Sequence, residues 1–398
     1  MRLLFCSLGL LIPRAEAVGV ICLIESIRPF SITEVQLLDR FKVPVTEQIR
    51  ISHDSIWETV FSIFRKMGEP DENAAAAADT LVTADLWGTE SHGVSNMVRY
   101  YIDYYARGEI KADPQWRTIR ETPATAVIDA DSGLAIILGK VAMGLAIEKA
   151  RSVGVGTVSL INAGHSGALG VHAAQAANDG LVGMAMTCGG MRMLPTFGSE
   201  GRLSTNPIAF AAPALGEPPF IFDAAMSSVA HNKIRIAQRL GASILPGWLA
   251  EDDGTPLMHE HDAPDSDHPL LLPFGGSRSI GSHKGYGLGL MVTIMTTLMP
   301  GMKPSMLTGE KGGEHVFTAY DIDAFTDRSV FMSNMGEMLR SLRETPPSPG
   351  ADRVVYAGLV EHETEVDRRA NGVPLHKDVL AWFDDICHEL NVPPLKKT

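Results

Sequence analysis

The sequence predicts an α/β protein with a helical domain built from both termini. Three observations support this prediction. From Ala124 onward, short apolar runs alternate with longer runs of helical periodicity, as in an α/β layer. The regions before and after that layer, residues 49–118 and 323–398, are mostly helical in pattern. With 398 residues, the chain exceeds the size at which one hydrophobic core usually stops growing, so several packed units are expected.

The composition is that of an ordinary folded protein, with 45% apolar and 20% charged residues. The net charge of -13, without a run of lysine and arginine to offset it, argues against nucleic acid as a partner. The longest apolar run after the N-terminal region, residues 285–299, is shorter than a membrane crossing requires. The four cysteines form no CxxC pair and are typical of free thiols in a reducing compartment. We therefore expect a cytoplasmic protein with no membrane and no nucleic-acid partner.

Residues 1–48 are expected to form a leader that is not part of the fold. The segment MRLLFCSLGLLIPRAEAV has a basic residue, an apolar stretch and Ala-Glu-Ala, which is the outline of a secretory signal. A start codon assigned too far upstream would leave a segment of the same appearance. A signal, another leader and a mis-assigned start all remain open on the sequence.

The N-terminal helical part, residues 49–118, begins with ISHDSIWETVFSIFRKMGEP. Its apolar residues fall at helical spacing, Ser52 or Asp54 can cap the start, and Gly-Glu-Pro ends the helix. Two more helices are expected from about Asp71 to Leu86 and from about Val94 to Ala106. The Ser-His-Gly sequence at residues 91–93 therefore lies between two helices.

Residues 119–322 are predicted to form the α/β part. Strands are expected at TAVIDA, VGTVSLI, LVGMAMT, NPIAFAAP and PFIFDAA. The helices between and after these strands are expected over about residues 137–152, 168–178, 228–240 and 285–298. The polar segment 250–270 is typical of a long surface loop.

The C-terminal part, residues 323–398, is predicted to be mostly helical and to pack on the N-terminal helices. A short strand is expected at RVVYAG and a closing helix from Lys377 to Leu390. The chain shows no internal repeat of fixed period.

Two histidines are candidates for proton transfer. His92 and His165 each adjoin serine and glycine at the predicted end of a regular element, where small neighbours let a ligand approach. Histidine suits acid–base catalysis because small environmental shifts tune its pKa near neutrality. Each residue by itself is more often a structural histidine, and the residues alone leave the two interpretations balanced.

The chain lacks the GxGxxG fingerprint of dinucleotide-binding βαβ units. GHSGALG follows a predicted strand and precedes a helix, but its glycine spacing differs, and a tight strand-to-helix turn explains it equally well. Thr205 and Asn206 stand at the start of a strand, where a plain turn is the simpler interpretation. Lys284 begins an apolar helix, where its ammonium and the helix N-terminus together favour an anion.

The polar loop offers an alternative function. His259, His261 and His268, with neighbouring aspartates, could bind a divalent metal and support a metal-dependent hydrolase. Their spacing matches no closed metal site, and a solvated loop is the simpler interpretation. The chain also has no GxSxG sequence for a serine nucleophile.

Seven motifs together resemble the malate/L-lactate dehydrogenase family, which includes ureidoglycolate and sulfolactate dehydrogenases. They are, in order, ADLWGTESHGVSNM, NAGHSGALGVHAA, TNPIAFAAP, FDAAMSS, LPGWLAEDDGTP, LPFGG and HKGYGLGL. The resemblance covers about residues 49–393. It implies a mixed-sheet, non-Rossmann architecture that binds NAD or NADP, oxidation of a small 2-hydroxy acid to its 2-oxo acid, and a homodimer with its active site near the subunit interface.

The resemblance also implies roles for individual residues. His165 matches the acid/base histidine, and Ser91 and His92 match the pair that lines the substrate and nicotinamide pocket. The positions matching cofactor contacts are Asp223, Ala224, Ala225, Thr205, Asn206 and Gly358. The positions expected to contact substrate are Arg99, Arg192, Lys284 and Gly285.

Departures from the family pattern bear on substrate and cofactor. Asn96 stands where many members have an arginine suited to a substrate carboxylate, so Arg99 and Arg192 are the candidate replacements. Leu359 stands in place of a glutamate of the cofactor loop. The substrate, the physiological direction and the choice between NAD and NADP therefore stay open. A catalytically idle family member is a further alternative.

Overall fold

The computed structural model describes residues 38–266, 268–309 and 312–396. Its α-helices are α1 (His53–Lys66), α2 (Asp71–Leu86), α3 (Val94–Ala106), α4 (Ala135–Val153), α5 (Leu169–Asn178), α6 (His231–Leu240), α7 (Ser282–Thr293), α8 (Ser305–Thr308), α9 (Arg328–Arg343), α10 (Leu359–Asn371) and α11 (Lys377–Leu390). Its strands are β1 (Gln48–Ile51), β2 (Arg117–Glu121), β3 (Thr125–Asp129), β4 (Val155–Ile161), β5 (Val182–Cys188), β6 (Ile208–Ala212), β7 (Phe220–Ala224), β8 (Leu249–Ala250), β9 (Leu270–Leu271), β10 (Glu314–Tyr320) and β11 (Val373–His376). None of the helices within these ranges combines the length and the apolar character that crossing a bilayer requires.

The central layer is a seven-stranded mixed sheet in the order β2-β3-β4-β10-β5-β6-β7. β3 and β4 are parallel, and every other neighbouring pair is antiparallel. β10 lies in the middle, where its His315 is opposite Leu160 of β4 and Thr187 of β5. Helices α4 and α5 bury their alanine-rich faces on this sheet. The predicted α/β class and the non-Rossmann sheet are confirmed.

The helical domain joins the two ends of the chain. Helices α1, α2, α3 and α11 share a hydrophobic core that includes the fully buried side chains of Phe64, Tyr101 and Phe383. β1 pairs antiparallel with β11, which places Gln48 opposite His376. This domain contacts the α/β layer where its helix α2 packs on α4. It therefore presents the segment between α2 and α3 to the edge of the α/β layer.

The C-terminal strand prediction was wrong. Residues 353–358 form no strand, since Tyr356 packs with Leu339 and Leu359 instead of pairing along a sheet. The strand in this region is β11, and β1, β2 and β10 were also not predicted. β10 is apolar enough for a strand, but its place in the centre of the sheet depends on pairing with β4 and β5, which are distant in sequence.

The predicted leader, residues 1–48, included residues that belong to the fold. Phe41 is buried and stacks on Trp248, with ring centroids 5.1 Å apart. Arg40 pairs with Glu260 at 2.8 Å. The segment from residue 38 onward is therefore part of the fold, while residues 1–37 lie outside the described residues.

Candidate active site

The fold brings together the two histidines that the sequence singled out. His165 lies in the loop between β4 and α5, and His92 ends a short 3₁₀ turn, Glu90–His92, just before α3. Their rings are parallel within 5°, with centroids 5.7 Å apart. Both residues are half-buried. The α/β layer and the helical domain thus each contribute one imidazole to the same cleft.

His165 is held through one of its two ring nitrogens. Its Nδ1 accepts a hydrogen bond from the Gly167 backbone N–H at 3.1 Å and lies 2.8 Å from the Tyr101 hydroxyl oxygen. Gly167 has a φ of 69°, which suits a residue without a side chain. Because these contacts occupy Nδ1, Nε2 is the nitrogen that faces a ligand.

Both histidines are neutral at physiological pH. Desolvation by the surrounding protein lowers the pKa of His92 to about 4. Desolvation, together with the nearby His92 and His315, lowers the pKa of His165 to about 3. A neutral imidazole next to an open cleft can exchange a proton with a bound hydroxyl or carbonyl group.

A buried carboxylate fixes the turn that carries His92. Asp85, in α2, accepts a hydrogen bond from the Val94 backbone N–H at 2.7 Å and so caps α3 from another helix. A Cβ on Gly93 would lie 1.9 Å from Asp85 Oδ1, so the position requires glycine. Ser91 Oγ then lies 2.8 Å from His92 Nδ1, which orients that ring.

His315 supports the His165 loop from behind, and the sequence analysis missed it. It is buried in β10, and its Nε2 lies 3.0 Å from the Gly164 carbonyl oxygen. Desolvation lowers the pKa of His315 to about 3, so the ring is neutral and Nε2 can donate to that carbonyl. Its position beside Gly164 results from strand pairing, which no local pattern revealed.

The start of α5, which follows the His165 loop, has polar groups near it that could hold a nicotinamide nucleotide. Asp223, at the end of β7, accepts a hydrogen bond from the Gly170 N–H at the start of α5, at 2.7 Å. Desolvation raises the pKa of Asp223 to about 6, whereas the backbone N–H groups of Gly170 and Leu169 lower it. The buried Ser166 hydroxyl has no hydrogen-bond partner among the described residues. These groups fit the hydroxyls and amide of such a cofactor.

Comparison with known proteins decides the family. The model of the malate/L-lactate dehydrogenase family matches residues 51–383. The chain belongs to this family. The chain is 37% identical over 354 residues to a malate dehydrogenase of Pyrococcus abyssi, covering 87% of this chain and 97% of that protein. It is 28% identical to a ureidoglycolate dehydrogenase (NAD(+)) of Escherichia coli O157:H7, covering 84% of this chain and 95% of that protein.

The fold comparison agrees with the family. The solved structure of a malate dehydrogenase from Entamoeba histolytica superimposes with a TM-score of 0.82 at 32% identity, covering 87% of this chain and 99% of that one. The resemblance and the prediction of a hydroxyacid dehydrogenase are therefore confirmed. The hydrolase alternative has no support, and among the described residues no three His, Cys, Asp or Glu side chains group as metal ligands.

Two residues expected to bind ligand by family resemblance have partners within the protein. Asn206 is fully buried, and its amide donates to Gly289 O at 2.6 Å and to Thr293 Oγ1 at 2.8 Å, so it anchors α7. Arg99 is exposed and pairs with Asp103 on its own helix at 3.3 Å. The two contacts of Asn206 use its amide nitrogen, and its buried Oδ1 has no hydrogen-bond partner among the described residues.

The other expected positions lie near β7 and α7. Gly358 has a φ of 102° and packs so closely on β7 that a Cβ would lie 2.4 Å from Pro219 O. Thr205 accepts a hydrogen bond from the Met226 N–H through its carbonyl, beside Ala224 and Ala225. Lys284 is exposed in the first turn of α7. Gly285 packs on Phe274, where a Cβ would be 2.5 Å from the backbone.

The residue in the family's arginine position has a structural partner. Asn96 is buried and accepts a hydrogen bond from Arg239 of α6 at 3.0 Å. Asn232, also on α6, donates to the Ser91 carbonyl at 2.8 Å. α6 therefore holds the His92 turn from the side opposite α2. Arg192, by contrast, contacts His231 and His268 through its guanidinium, at 3.3 and 3.1 Å.

Proposed function

We propose that the protein interconverts a small 2-hydroxy acid and its 2-oxo acid with a nicotinamide cofactor. The observation that carries this proposal is the geometry of His165, whose Nδ1 is held by Gly167 and Tyr101, which leaves Nε2 for a ligand, while its ring lies parallel to that of His92. A single proton-transfer group next to the candidate cofactor position at Asp223 suits hydride transfer at a carbon that bears a hydroxyl.

The protein residues perform the proton part of the reaction. A bound nicotinamide ring supplies the acceptor or the donor of hydride at C2. In oxidation, His165 Nε2 takes the hydroxyl proton as the C–H electron pair leaves; in reduction, the same nitrogen returns a proton to the carbonyl oxygen. His92, oriented by Ser91, lines the opposite wall and orients the substrate oxygen. The half-buried position of both rings limits water at the reacting atoms.

We propose Arg192 as the group that binds the substrate carboxylate. Arg192 lies close enough to Tyr100 for its positive charge to lower the pKa of the Tyr100 hydroxyl. The Tyr100 ring in turn lies edge-on to His165, with ring centroids 6.1 Å apart. A guanidinium matches a carboxylate in two parallel hydrogen bonds. Arg192→Gln should raise KM by about tenfold, equivalent to ~1.4 kcal/mol, with a smaller effect on kcat. An unchanged KM would remove Arg192 from this role.

We propose NAD, rather than NADP, as the physiological cofactor. Asp223 lies at the end of β7, on which Gly358 packs, and Glu361 accepts the Gly358 N–H at 2.9 Å. Glu361 is close enough for its charge to raise the pKa of Asp223. Two neighbouring carboxylates favour ribose hydroxyls and repel an additional phosphate. The ureidoglycolate dehydrogenase relative, named for NAD(+), supports the same choice.

Fluorescence titration tests this choice. NADH should bind at least about tenfold more tightly than NADPH. Glu361→Gln should reduce this difference in affinity between the two cofactors, because it removes one negative charge. Tighter binding of NADPH by the unaltered protein would overturn the choice of NAD.

We propose a cytoplasmic homodimer. The described cysteines, Cys188 and Cys387, are buried free thiols, as expected in a reducing compartment. Leu288 and Met291 of α7, and Ile294 directly after it, repeat at three-residue spacing and are 39%, 39% and 49% exposed. Such an apolar stripe is typical of a surface covered by another subunit. Light scattering should give twice the chain mass, and Met291→Glu should weaken the dimer; a monomer at micromolar concentration would contradict this.

The central experiment is an activity assay. Purified protein with NADH and a panel of small 2-oxo acids should consume the reduced cofactor, and His165→Ala should lower kcat by about 100-fold or more without unfolding the protein. Activity retained by His165→Ala would refute the assigned role. Cofactor binding without turnover on any acid would favour the catalytically idle alternative.

A further inference from the structure

Tyr101 connects the helical domain to the proton-transfer histidine. It lies on α3, is fully buried, and packs against Phe64 with ring centroids 6.2 Å apart. A buried tyrosine hydroxyl normally requires a hydrogen-bond partner. Here that partner is Nδ1 of His165, 2.8 Å away.

The His165 ring is also fixed on its faces. His92 stacks parallel to it, and Tyr100 meets it edge-on at 77°. These ring contacts and the two contacts at Nδ1 hold the ring in one orientation, with Nδ1 toward Tyr101.

The partners of Nδ1 differ in what they can do. The Gly167 N–H can only donate, so it favours a bare Nδ1 and places the proton of the neutral ring on Nε2. A hydroxyl can donate or accept. The reaction needs states in which Nδ1 carries a hydrogen: the imidazolium that gives a proton to a 2-oxo acid, and the neutral ring whose bare Nε2 takes the hydroxyl proton. The Tyr101 oxygen can accept that Nδ1–H.

We propose that Tyr101 is a positioning residue that donates to Nδ1 of the resting His165 ring and accepts from Nδ1–H in the reactive states. The inference rests on the proposed function for the reaction itself. The hydroxyl thus stays bonded to the ring throughout the cycle, while Gly167 stabilises only the resting form. Each reduction consumes one proton from solvent: its binding at Nδ1 makes the resting ring an imidazolium, and Nε2 then gives its proton to the substrate oxygen. Exchange with solvent moves the remaining proton from Nδ1 back to Nε2, and Tyr101 stays protonated throughout.

The surroundings of His165 make this hydroxyl important. The titratable side chains that face the ring are His92, Tyr100, Tyr101 and His315. None of these four carries a carboxylate, and both His92 and His315 disfavour a positive charge on His165. Within this set, Tyr101 is the group that bonds Nδ1, and a hydrogen bond to a charged ring is roughly twice as strong as one to a neutral ring.

The test compares Tyr101→Phe with Tyr105→Phe. Tyr105 lies on the same helix and bonds the buried Glu69, so its variant also loses a tyrosine hydroxyl but does not touch His165. In Tyr101→Phe, kcat for 2-oxo acid reduction at pH 7 should fall about tenfold. The pH profile should shift about one unit toward acid because the imidazolium loses its acceptor. KM should change less than about twofold, and Tyr105→Phe should match the wild type.

Nitrogen NMR of the wild-type imidazoles provides a readout without turnover or substitution. The free protein at pH 7 should carry the His165 proton on Nε2, and the complex with NADH and oxamate, an unreactive 2-oxo acid analogue, should carry a hydrogen on Nδ1. A Tyr101→Phe profile equal to the wild type, or a free ring protonated on Nδ1, would overturn the inference. A wild type that reduces no 2-oxo acid would instead refute the proposed function.

Discussion

Replacing Gly93 with alanine should disrupt the His92 turn by a single methyl group. The added Cβ would lie 1.9 Å from Oδ1 and 2.3 Å from Cγ of Asp85, distances that no rotation of the short, buried aspartate relieves easily. Moving Asp85 breaks its hydrogen bond to the Val94 N–H. The substitution therefore combines overpacking with the loss of a helix cap.

The expected cost follows from these two effects. Overpacking in a tight interior costs about 1–3 kcal/mol, and a lost helix cap costs about 1 kcal/mol. We expect Gly93→Ala to reduce the free energy of unfolding by about 2–4 kcal/mol, which lowers Tm by about 2–5 °C in a chain of this length. Because His92 directly precedes Gly93, kcat should fall as well.

Differential scanning fluorimetry and the reduction assay check this prediction against a matched control. Gly287 lies in α7 with nothing within 4 Å of the position its Cβ would take, so Gly287→Ala should leave Tm unchanged or slightly raised. A Gly93→Ala protein with the Tm and kcat of the wild type would refute the close approach between α2 and the His92 turn.

Three further predictions concern stability. Burial raises the pKa of Asp85 to about 7, so the folded state keeps a proton on this carboxyl that the unfolded state releases. The tighter proton binding stabilises the folded state at acid pH, and that stabilisation is lost as pH rises through about 7. The free energy of unfolding should fall by up to about 4 kcal/mol between about pH 4 and 8. Urea unfolding should show this fall in the wild type but not in Asp85→Asn. Desolvation lowers the pKa of His172 to about 4, so stability should fall by up to about 3 kcal/mol from about pH 6.5 to 4, less so in His172→Gln. Phe41→Ala should cost about 3 kcal/mol because Phe41 is buried on Trp248, whereas Phe325→Ala, at a site 71% exposed, should not change Tm.

The family motifs predicted the two histidines that the fold brings together but not the residues that hold them. His92 and His165 adjoin glycine and serine at element ends, which is a local pattern. Tyr101 and Asp85 carry no such pattern, because each acts on a residue of another element. A tyrosine on an apolar helix face predicts only core packing, and its bond to His165 exists because α3 packs beside the β4–α5 loop.

The sequence by itself determined the elements with strong local signals. The helices Asp71–Leu86, Val94–Ala106 and Lys377–Leu390 begin and end where the periodicity and the helix-ending residues predicted. The tertiary structure alone decided that Glu314–Tyr320 is the central strand and that Asn206 faces the interior. Periodicity and capping are interactions within a few residues, so the sequence displays them. Strand order, burial and side-chain partners arise from contacts across the chain, and those contacts form only when the separate elements pack together.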